Sequence, residues 1–347
     1  MSVRNAVFAV PGDPETRTGG YIYDARVLAA LRAQGRDVTA LRLPDGFPLP
    51  DAGSMKKAGE MLRALGPDRP VIIDGLALGA IDPGAVADLR APLVGLVHHP
   101  LALETGLSAA QAERLARTEA ANLARAAHVI VPSPHTGDVL ARDYGVPRDR
   151  ITVARPGIDR PDQSPRPATP PLILTVGSLA PRKGHDVLLQ ALVTLKDLDW
   201  RAVIVGRAHD PAEGDALRAL SDRLGLAERV RFAGELDQTA LDALYRQASL
   251  FALATRYEGY GMVFAEALVN GLPIVSCRAG AVPGTVPPDA GTLVPPDDPA
   301  AFAAALRALL EDMDLRATRA AAAARCGAEL PTWEDTAALF GAVIDGL

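Results

Sequence analysis

Residues 172–185 read LILTVGSLAPRKGH, a short apolar run that passes directly into a basic, glycine-containing loop. An apolar run of this length, bounded by turn residues, is typical of a strand buried on both faces of a parallel sheet. A helical pattern begins immediately after the loop. The stretch therefore predicts a strand–loop–helix unit in which Arg182 and Lys183 follow the carboxyl end of a strand.

The same alternation of short apolar runs with helical patterns rich in Ala, Leu and Arg continues in both directions along the chain. In the first half, helices are predicted at 21–34 and 109–126. The rhythm indicates an α/β protein with two doubly wound, Rossmann-like domains. Strands are predicted at residues 7–10, 38–43, 71–74, 93–97, 129–131, 151–153, 172–176, 201–205, 230–232, 250–252 and 274–276.

Residues 160–171 interrupt this alternation with a segment crowded with Pro, Asp, Ser and Thr, which is the composition of a linker. We therefore expect an N-terminal domain at 1–165 and a C-terminal domain at 166–330. The helix-periodic segment at 331–347 is expected to join the N-terminal domain. Because open α/β sheets bind ligands beyond the carboxyl ends of their strands, the functional site is expected at those ends.

The composition of the 347-residue chain is that of a globular protein, with 48% hydrophobic and 22% charged residues. Its net charge of -6 argues against nucleic-acid binding, which usually requires a basic surface. Cys277 and Cys326 show neither metal-ligand spacing nor a disulfide framework, which favours a cytoplasmic location. The sequence predicts no signal peptide and no transmembrane helix, so any membrane contact is expected to be peripheral.

The basic loop is the first candidate site. Arg182 and Lys183 precede a helix N-terminus, whose unpaired N–H groups favour anions. A diphosphate is the ligand that matches this combination of charge and dipole. The alternative is a solvated turn, which is the usual fate of two adjacent cations.

The second candidate is the run YEGYGMVFAE at residues 257–266, in which seven residues separate Glu258 from Glu266. With a helix beginning near Gly261, Glu258 lies on the preceding loop and Glu266 lies one to two turns inside the helix. The glycines allow backbone N–H groups to approach a polar ligand, and each carboxylate can accept from two sugar hydroxyls. The alternative is a helix-start glutamate and an unrelated surface glutamate.

Weaker signals stand at other predicted strand ends. Gly19 and Gly20 close the loop after the first strand, His98 and His99 follow the fourth, and a glycine-rich loop occupies residues 280–285. A glycine pair or a strand-end histidine is more often purely structural. No Gly-x-Gly-x-x-Gly motif follows a strand, which disfavours a dinucleotide-dependent dehydrogenase.

Two Asp-x-Asp triplets, at residues 197–199 and 312–314, suggest a divalent-metal site at first sight. The first precedes a predicted strand and the second falls in a helical stretch, so neither lies at the predicted ligand edge. We interpret both as solvated acids and predict no metal site.

In their order and spacing these motifs resemble those of the family 4 glycosyltransferases, which are retaining enzymes of the GT-B fold. The resemblance is carried most specifically by residues 182–184 together with Glu258 and Glu266. It extends to residues 153–159 and 291–296, so that nearly the whole chain is similar to the family. The fold that it implies has two Rossmann-like domains facing each other across a cleft.

The resemblance implies transfer of a sugar from a nucleotide diphosphate sugar to a hydroxyl of a small-molecule, glycan or lipid-linked acceptor, without a metal or other cofactor. It assigns catalysis to Arg182, Lys183, Glu258 and His98, with the two cations on the diphosphate, Glu258 and His98 on the transferred sugar and Glu266 on the ribose. The implied acceptor loops are residues 11–18 and 101–107. The implied donor-binding residues are Gly19, Gly20, Gly177, Glu258, Gly259, Tyr260, Gly261, Met262, Val263, Glu266, Gly234 and Leu236.

The chain departs from the family pattern at two places. Gly284 stands where the family usually has a glutamate, and His99-Pro100 follows His98 where Asp or Gly is more usual. The strand register favours His98 over His99 as the imidazole that faces the donor. Two other functions stay open: a nucleotide-sugar epimerase of the same fold, and a non-catalytic protein that binds sugar nucleotides.

Overall fold

The structure of the protein is a computed structural model, which describes residues 4–13, 16, 18–104, 106–208 and 210–347. The chain divides into two compact units. One unit consists of Met1–Gly157 together with Pro331–Leu347, and the other of Ile158–Leu330.

The first unit contains a six-stranded sheet with the order β2-β1-β3-β4-β5-β6, in which neighbouring strands are parallel. Its strands are β1 (Ala6–Pro11), β2 (Val38–Leu43), β3 (Val71–Asp74), β4 (Leu93–Leu96), β5 (His128–Val131) and β6 (Ile151–Val153). Its helices up to that point are α1 (Gly19–Ala33), α2 (Ala52–Arg63), α3 (Gly75–Leu78), α4 (Pro83–Ala87), α5 (Ala109–Leu123) and α6 (Pro134–Asp143).

The second unit repeats this plan with a six-stranded parallel sheet of order β12-β11-β10-β7-β8-β9. Its strands are β7 (Leu172–Val176), β8 (Arg201–Val205), β9 (Val230–Gly234), β10 (Leu250–Leu253), β11 (Ile274–Cys277) and β12 (Gly291–Val294). Its helices are α7 (His185–Val193), α8 (Pro211–Arg223), α9 (Gln238–Gln247), α10 (Met262–Val269), α11 (Val282–Thr285), α12 (Pro299–Glu311) and α13 (Met313–Ala328).

The last helix, α14 (Trp333–Gly346), returns to the first unit and packs against α1. Thr332 caps its N-terminus through a reciprocal bond with Asp335. Near its other end Asp345 accepts two bonds of 2.7 Å from the guanidinium of Arg36. This bidentate pair is well shielded from water, since the Arg36 and Asp345 side chains are only 9% and 17% exposed. It fixes the C-terminal helix to the connection between α1 and β2.

Both faces of each sheet are buried, as the continuous apolar runs predict. On β7 and β8, Ile173 and Ile204 belong to one apolar cluster, whereas their neighbours Leu174 and Val205 belong to another. Successive side chains of a strand point to opposite faces, so these two clusters are the two sides of one sheet. The predicted α/β class and the doubly wound arrangement are confirmed.

The unit boundary lies at Gly157, before the segment with linker composition. Ile158 packs into a small apolar cluster with Tyr260 and Ala265 of the second unit. The Arg160 guanidinium donates to carbonyls at the end of α13, and the backbone N–H groups of residues 166 and 168 donate to residues 246 and 247. Richness in Pro and Ser predicts the lack of helix and strand here correctly, but it does not predict that these residues are held by the second unit.

The strand orders locate the ligand edge of each sheet. In the second unit the chain runs outward from β7 through β8 to β9, then returns to start β10 on the other side of β7. In the first unit the equivalent reversal falls between β1 and β3. Ligands of open α/β sheets bind at the carboxyl ends of strands at such reversals. In the part of the chain that is described, no helix combines the length and the apolar character needed to cross a bilayer.

Candidate functional site

The loop after β7 brings the two predicted cations to the reversal point between β7 and β10. Pro181–Lys183 form one turn of 3-10 helix, and Gly184 then starts α7 in a left-handed conformation with φ 62°. A Cβ atom on Gly184 would stand 1.9 Å from the carbonyl oxygen of Ala254, just beyond β10. Only glycine therefore allows the basic turn to lie directly on the end of the neighbouring strand.

Glu258 lies between the two cations, and these three side chains are called the ion trio below. Lys183 Nζ is 2.6 Å from Glu258 Oε1, and Arg182 Nη1 is 3.4 Å from Glu258 Oε2. Thr255 Oγ1 donates to the same carboxylate at 3.0 Å. Burial opposes ionisation of Glu258, but the two adjacent cations hold its pKa below the usual value. The trio therefore holds two positive charges and one negative charge in a largely buried position, a formal surplus of one positive charge.

Arg256, which was not singled out from the sequence, braces the basic turn from outside. Its guanidinium binds both oxygens of Asp186 on α7, at 3.0 and 2.8 Å, and Asp297 at 2.7 Å. Its backbone N–H donates to the Arg182 carbonyl at 2.7 Å. Bidentate guanidinium–carboxylate pairs are geometrically specific, so Arg256 fixes the turn relative to the end of β10.

His185, the first residue of α7, fixes the opposite side of the same loop. Its Nε2 lies 2.9 Å from the carbonyl oxygen of Ser178, and because a carbonyl only accepts, Nε2 carries the proton. Burial lowers the pKa of His185 to about 4, so the ring is neutral at physiological pH. His185 is therefore a structural residue of the loop that begins at Gly177, rather than a third cation.

Glu266 has a different environment from Glu258, as the spacing predicts. Gly261, with φ 84°, ends the loop, and α10 then carries Glu266 in its second turn. The hydroxyl of the buried Tyr245, on α9, donates to Glu266 Oε2 at 2.6 Å. Burial raises the pKa of Glu266 above its usual value. Tyr245, which the sequence motifs do not indicate, thus belongs to the same polar group as Glu266.

The other residues of the 257–266 run are held by the loop at 280–285. A Cβ atom on Gly280 would stand 2.4 Å from the carbonyl oxygen of Glu258, and that carbonyl accepts from the backbone N–H of Ala281 at 2.8 Å. Thr285 Oγ1 donates to the carbonyl of Tyr260 at 2.8 Å. The glycine-rich loop therefore supports Glu258 from behind through backbone contacts.

The remaining predicted donor residues of this unit lie at the same sheet edge. Gly177 follows β7, and Gly234 is the last residue of β9, with φ 69°. Between them Gly206 approaches so closely that a Cβ atom would stand 1.9 Å from the Gly177 carbonyl oxygen. Leu236 packs partly buried behind this edge, and Gly259, Met262 and Val263 lie on the run between the two glutamates.

The first unit collects a second group of polar residues at its own reversal point. His98 Nε2 lies 3.0 Å from Asp24 Oδ1 and 3.4 Å from Asp74 Oδ2. Gly20 lies against the ring, since a Cβ atom there would be 3.2 Å from His98 Cδ2, and Gly19 begins α1 beside it. The candidate ligand atoms of the three polar side chains lie within 4.8 Å of one another, a spacing that would admit a metal ion as well as hydrogen bonds.

Asp24 and Asp74 were not predicted as site residues. His99, the alternative to His98, points elsewhere, since its Nε2 pairs with Glu104. Parts of both predicted acceptor loops, residues 14, 15, 17 and 105, lie outside the described residues.

The Asp-x-Asp triplets have structural partners. Asp197 accepts two bonds from Arg307, at 2.7 and 2.8 Å, and Asp312 caps the N-terminus of α13. Cys277 is buried and Cys326 is partly exposed, and both are free thiols. These residues do not contribute to either polar group.

The Tyr245–Glu266 contact generates a prediction about stability and pH. Tyr245→Phe leaves a buried carboxylate without its donor, so we expect unfolding free energy to fall by about 1–3 kcal/mol at pH 8. Because Glu266 has a raised pKa in the folded state, it is protonated at low pH and the loss should shrink near pH 4. Denaturant unfolding at both pH values measures this. An equal loss in a Glu266→Leu background, which has no acceptor for the Tyr245 hydroxyl, would contradict the assigned contact.

Comparisons with known proteins identify the family to which the chain belongs. Residues 7–160 match the model described as Glycosyltransferase Family 4, and residues 159–325 match the model described as Glycosyl transferases group 1. A D-inositol 3-phosphate glycosyltransferase of Xylanimonas cellulosilytica is 35% identical over 217 residues, which cover 57% of this chain and 52% of that protein. The chain thus spans about half the length of the curated relatives it matches.

Solved structures show the same fold over the whole chain. Sucrose-phosphate synthase from Thermosynechococcus elongatus superposes with a TM-score of 0.83 at 23% identity, covering 99% of both chains. The HepE protein of Anabaena, solved in complex with UDP-glucose, gives a TM-score of 0.77 at 18% identity, covering 98% of this chain and 100% of that one. With two family models matching in succession from residue 7 to residue 325 and a GT-B fold throughout, the chain belongs to the family 4 glycosyltransferases.

Proposed function

We propose that the protein is a retaining, metal-independent glycosyltransferase that moves a sugar from a nucleotide diphosphate sugar to an acceptor hydroxyl. The observation that carries this proposal is the ion trio of Arg182, Lys183 and Glu258, located where the second sheet reverses its strand order. A pair of fixed cations at that position, beside the start of α7, suits the diphosphate of such a donor.

The chemical requirement of sugar transfer is stabilisation of the negative charge that develops on the leaving phosphate. Arg182 and Lys183 are held in place before any ligand arrives, by Glu258 and by the Arg256 brace on their turn. Preorganised charges in a partly desolvated site stabilise such a transition state more strongly than mobile charges in water. The two cations thus supply the positive charge that a divalent ion supplies in other enzymes.

Glu266 suits the ribose of the donor. Tyr245 occupies its Oε2 and so orients the carboxylate. We assign Oε1 to the ribose hydroxyls. A carboxylate is an acceptor only and therefore selects hydroxyl donors. Glu258 and the backbone N–H groups that follow it are assigned to hydroxyls of the transferred sugar, and His98 is assigned to the same sugar from the first unit.

In this mechanism the acceptor hydroxyl attacks the anomeric carbon from the face that the diphosphate leaves. The bond to the phosphate oxygen breaks as the new glycosidic bond forms, and that phosphate oxygen takes the acceptor proton. No protein nucleophile is required. The chain's own residues bind the donor, orient it and stabilise the leaving group.

The comparisons support this proposal without extending to its details. A relative is named for glycosyl transfer to D-inositol 3-phosphate, and a protein of the same fold binds UDP-glucose. A nucleotide-sugar epimerase of the same fold is the second candidate, and it would consume donor with no acceptor present. Incubating the protein with UDP-, GDP- and ADP-sugars in EDTA, with and without pooled acceptors, distinguishes these activities by the products formed.

Replacing either cation tests the diphosphate assignment. We expect Arg182→Ala and Lys183→Ala each to reduce the rate of transfer by at least about tenfold, toward the 10²–10³ range of a lost transition-state donor. Circular dichroism should show that both variants fold, because the backbone of the turn keeps its bond to Arg256 and its close approach to the end of β10 at Gly184. Arg223→Ala, an exposed cation at the end of α8, is the matched control. Near-normal turnover in both loop variants would remove the assignment.

The two glutamates should respond to different ligands. Glu266→Gln removes the charge that faces the ribose, so binding of the free nucleoside diphosphate should weaken by about 1–3 kcal/mol. Glu258→Gln should leave that binding almost unchanged, because the amide oxygen can still accept from Lys183 and Arg256 still holds the turn, but it should depress transfer from the whole donor. Calorimetry with the nucleoside diphosphate and kinetics with the donor measure the two effects. Equal weakening of diphosphate binding by both variants would contradict this division.

A further inference from the structure

We propose that Asp24 and Asp74 are positioning residues that hold the His98 ring as an imidazolium with Nε2 turned inward, so that Nδ1 donates a hydrogen bond to the ligand. This rests on the proposed function, in which His98 faces the transferred sugar. Neither aspartate was singled out from the sequence, and the resemblance to the family assigns neither of them a role.

The three residues converge because of the strand order of the first sheet. Asp74 is the last residue of β3, Asp24 lies on α1 after β1, and His98 follows β4. β1, β3 and β4 are neighbours, and the reversal of strand order falls between β1 and β3. The group therefore occupies the position at which an open α/β sheet receives its ligand.

The geometry fixes which nitrogen of the ring is available. Nε2 is 3.0 Å from Asp24 Oδ1 and 3.4 Å from Asp74 Oδ2, so it is directed to both carboxyl groups. Asp74 is itself fixed, because its Oδ1 accepts from the backbone N–H of Leu76 at 3.0 Å. Gly20 packs against Cδ2, where a Cβ atom would be only 3.2 Å away. The ring is therefore held on its Nε2 side, and Nδ1 is the nitrogen that a ligand can reach.

The two buried aspartates favour a protonated, positively charged His98 ring. Asp24 and Asp74 are 4% and 2% exposed, and two ionised carboxylates buried side by side are strongly unfavourable. An imidazolium supplies one compensating charge, and the proximity of Asp74 favours a protonated Asp24 carboxyl group. Burial opposes charge on His98, but the carboxylates outweigh it and raise the pKa of His98 to about 10. Burial and Asp74 raise the pKa of Asp24 to about 7.

Among the described residues, the other groups that contact His98 are an aromatic ring and a hydroxyl, and neither carries a charge. Tyr23, also on α1, meets the ring edge-on at a centroid distance of 5.2 Å. The pKa of Tyr21 is raised to about 12 by burial and by the nearby aspartates, so its hydroxyl remains protonated and donates to the Pro11 carbonyl. Thr136, from α6, approaches the His98 carbonyl at 3.5 Å. The ionisation of His98 is thus controlled from two elements, by Asp24 on α1 and Asp74 on β3.

Hydrogen bonding explains this group better than a bound metal ion. The Nε2 to Oδ1 distance is that of a hydrogen bond, and a metal ion would require Nε2 to be unprotonated. With Nε2 protonated and paired, the three side chains form one network that aims a single donor, Nδ1–H, outward.

The test measures the ionisation of His98 in the donor-free protein by NMR of its imidazole. The His98 signals are assigned by their absence from the spectrum of His98→Gln. In wild type the His98 ring nitrogens should keep the chemical shifts of an imidazolium between about pH 6 and pH 9, whereas in Asp24→Asn they should change to those of a neutral ring near or below the ordinary pKa of about 6.5. Asp74→Asn, whose amide oxygen still accepts from Leu76, is the second variant and should lower the pKa in the same direction. Asp82→Asn, which changes the N-cap of α4, is the matched control.

Transfer provides the second readout. The rate of transfer by the Asp24→Asn variant should fall by about tenfold for each pH unit above the pKa that His98 has in that variant. The rate of the wild-type protein should change by less than about threefold over the same pH range. A wild-type His98 that titrates near pH 6.5, or unchanged titration in both aspartate variants, would overturn the proposal. Broadening of the His98 signals by Mn²⁺ alone would also overturn it. If the titrations agree but wild type transfers no sugar, the network stands and the proposed function fails.

Discussion

The contact between Lys183, Glu258 and Arg182 is the interaction around which the candidate site of the C-terminal unit is built. Three charges with little exposure are costly unless each is paired, and here one carboxylate serves both cations with help from Thr255. The surrounding structure follows from this requirement. Gly184 and Gly280 allow backbone to approach from two sides, and Arg256 holds the turn that carries the cations. The same arrangement holds both cations at the reversal point of the sheet, where we propose that they meet an anionic ligand.

The two units place opposite charge chemistry at equivalent points of similar sheets. At the reversal point of the C-terminal sheet, two cations share one carboxylate. At the reversal point of the N-terminal sheet, two buried aspartates share one imidazole. In each unit, a residue outside the recognisable motif fixes the one inside it, as Tyr245 fixes Glu266 and Asp24 fixes His98. Motif residues carry the ligand chemistry, and these second residues determine which atom is presented and in which protonation state.

Most of the fold could be predicted from the sequence because short apolar runs and helical patterns are local signals. The pairing of Lys183 with Glu258 could not be predicted, since it joins residues 75 positions apart through the adjacency of β7 and β10. Tyr245 and Asp24 were missed for a related reason. Each lies on the buried face of a helix, where a single polar residue gives no periodic signal until its partner is known. The sequence predicts that the N-terminal domain ends at residue 165, whereas the compact units divide after Gly157. A proline-rich composition predicts irregular backbone, but it does not predict which unit that backbone packs against.

The central claim is that the ion trio binds a diphosphate without a metal ion. Calorimetric titration of the wild-type protein in EDTA with UDP, GDP and ADP, and with the matching nucleoside monophosphates, tests it most directly. We predict that at least one diphosphate binds at least about tenfold more tightly than its monophosphate, a difference of about 1.4 kcal/mol or more. Equal binding of the two forms, or diphosphate binding that appears only after magnesium or manganese is added, would contradict the claim.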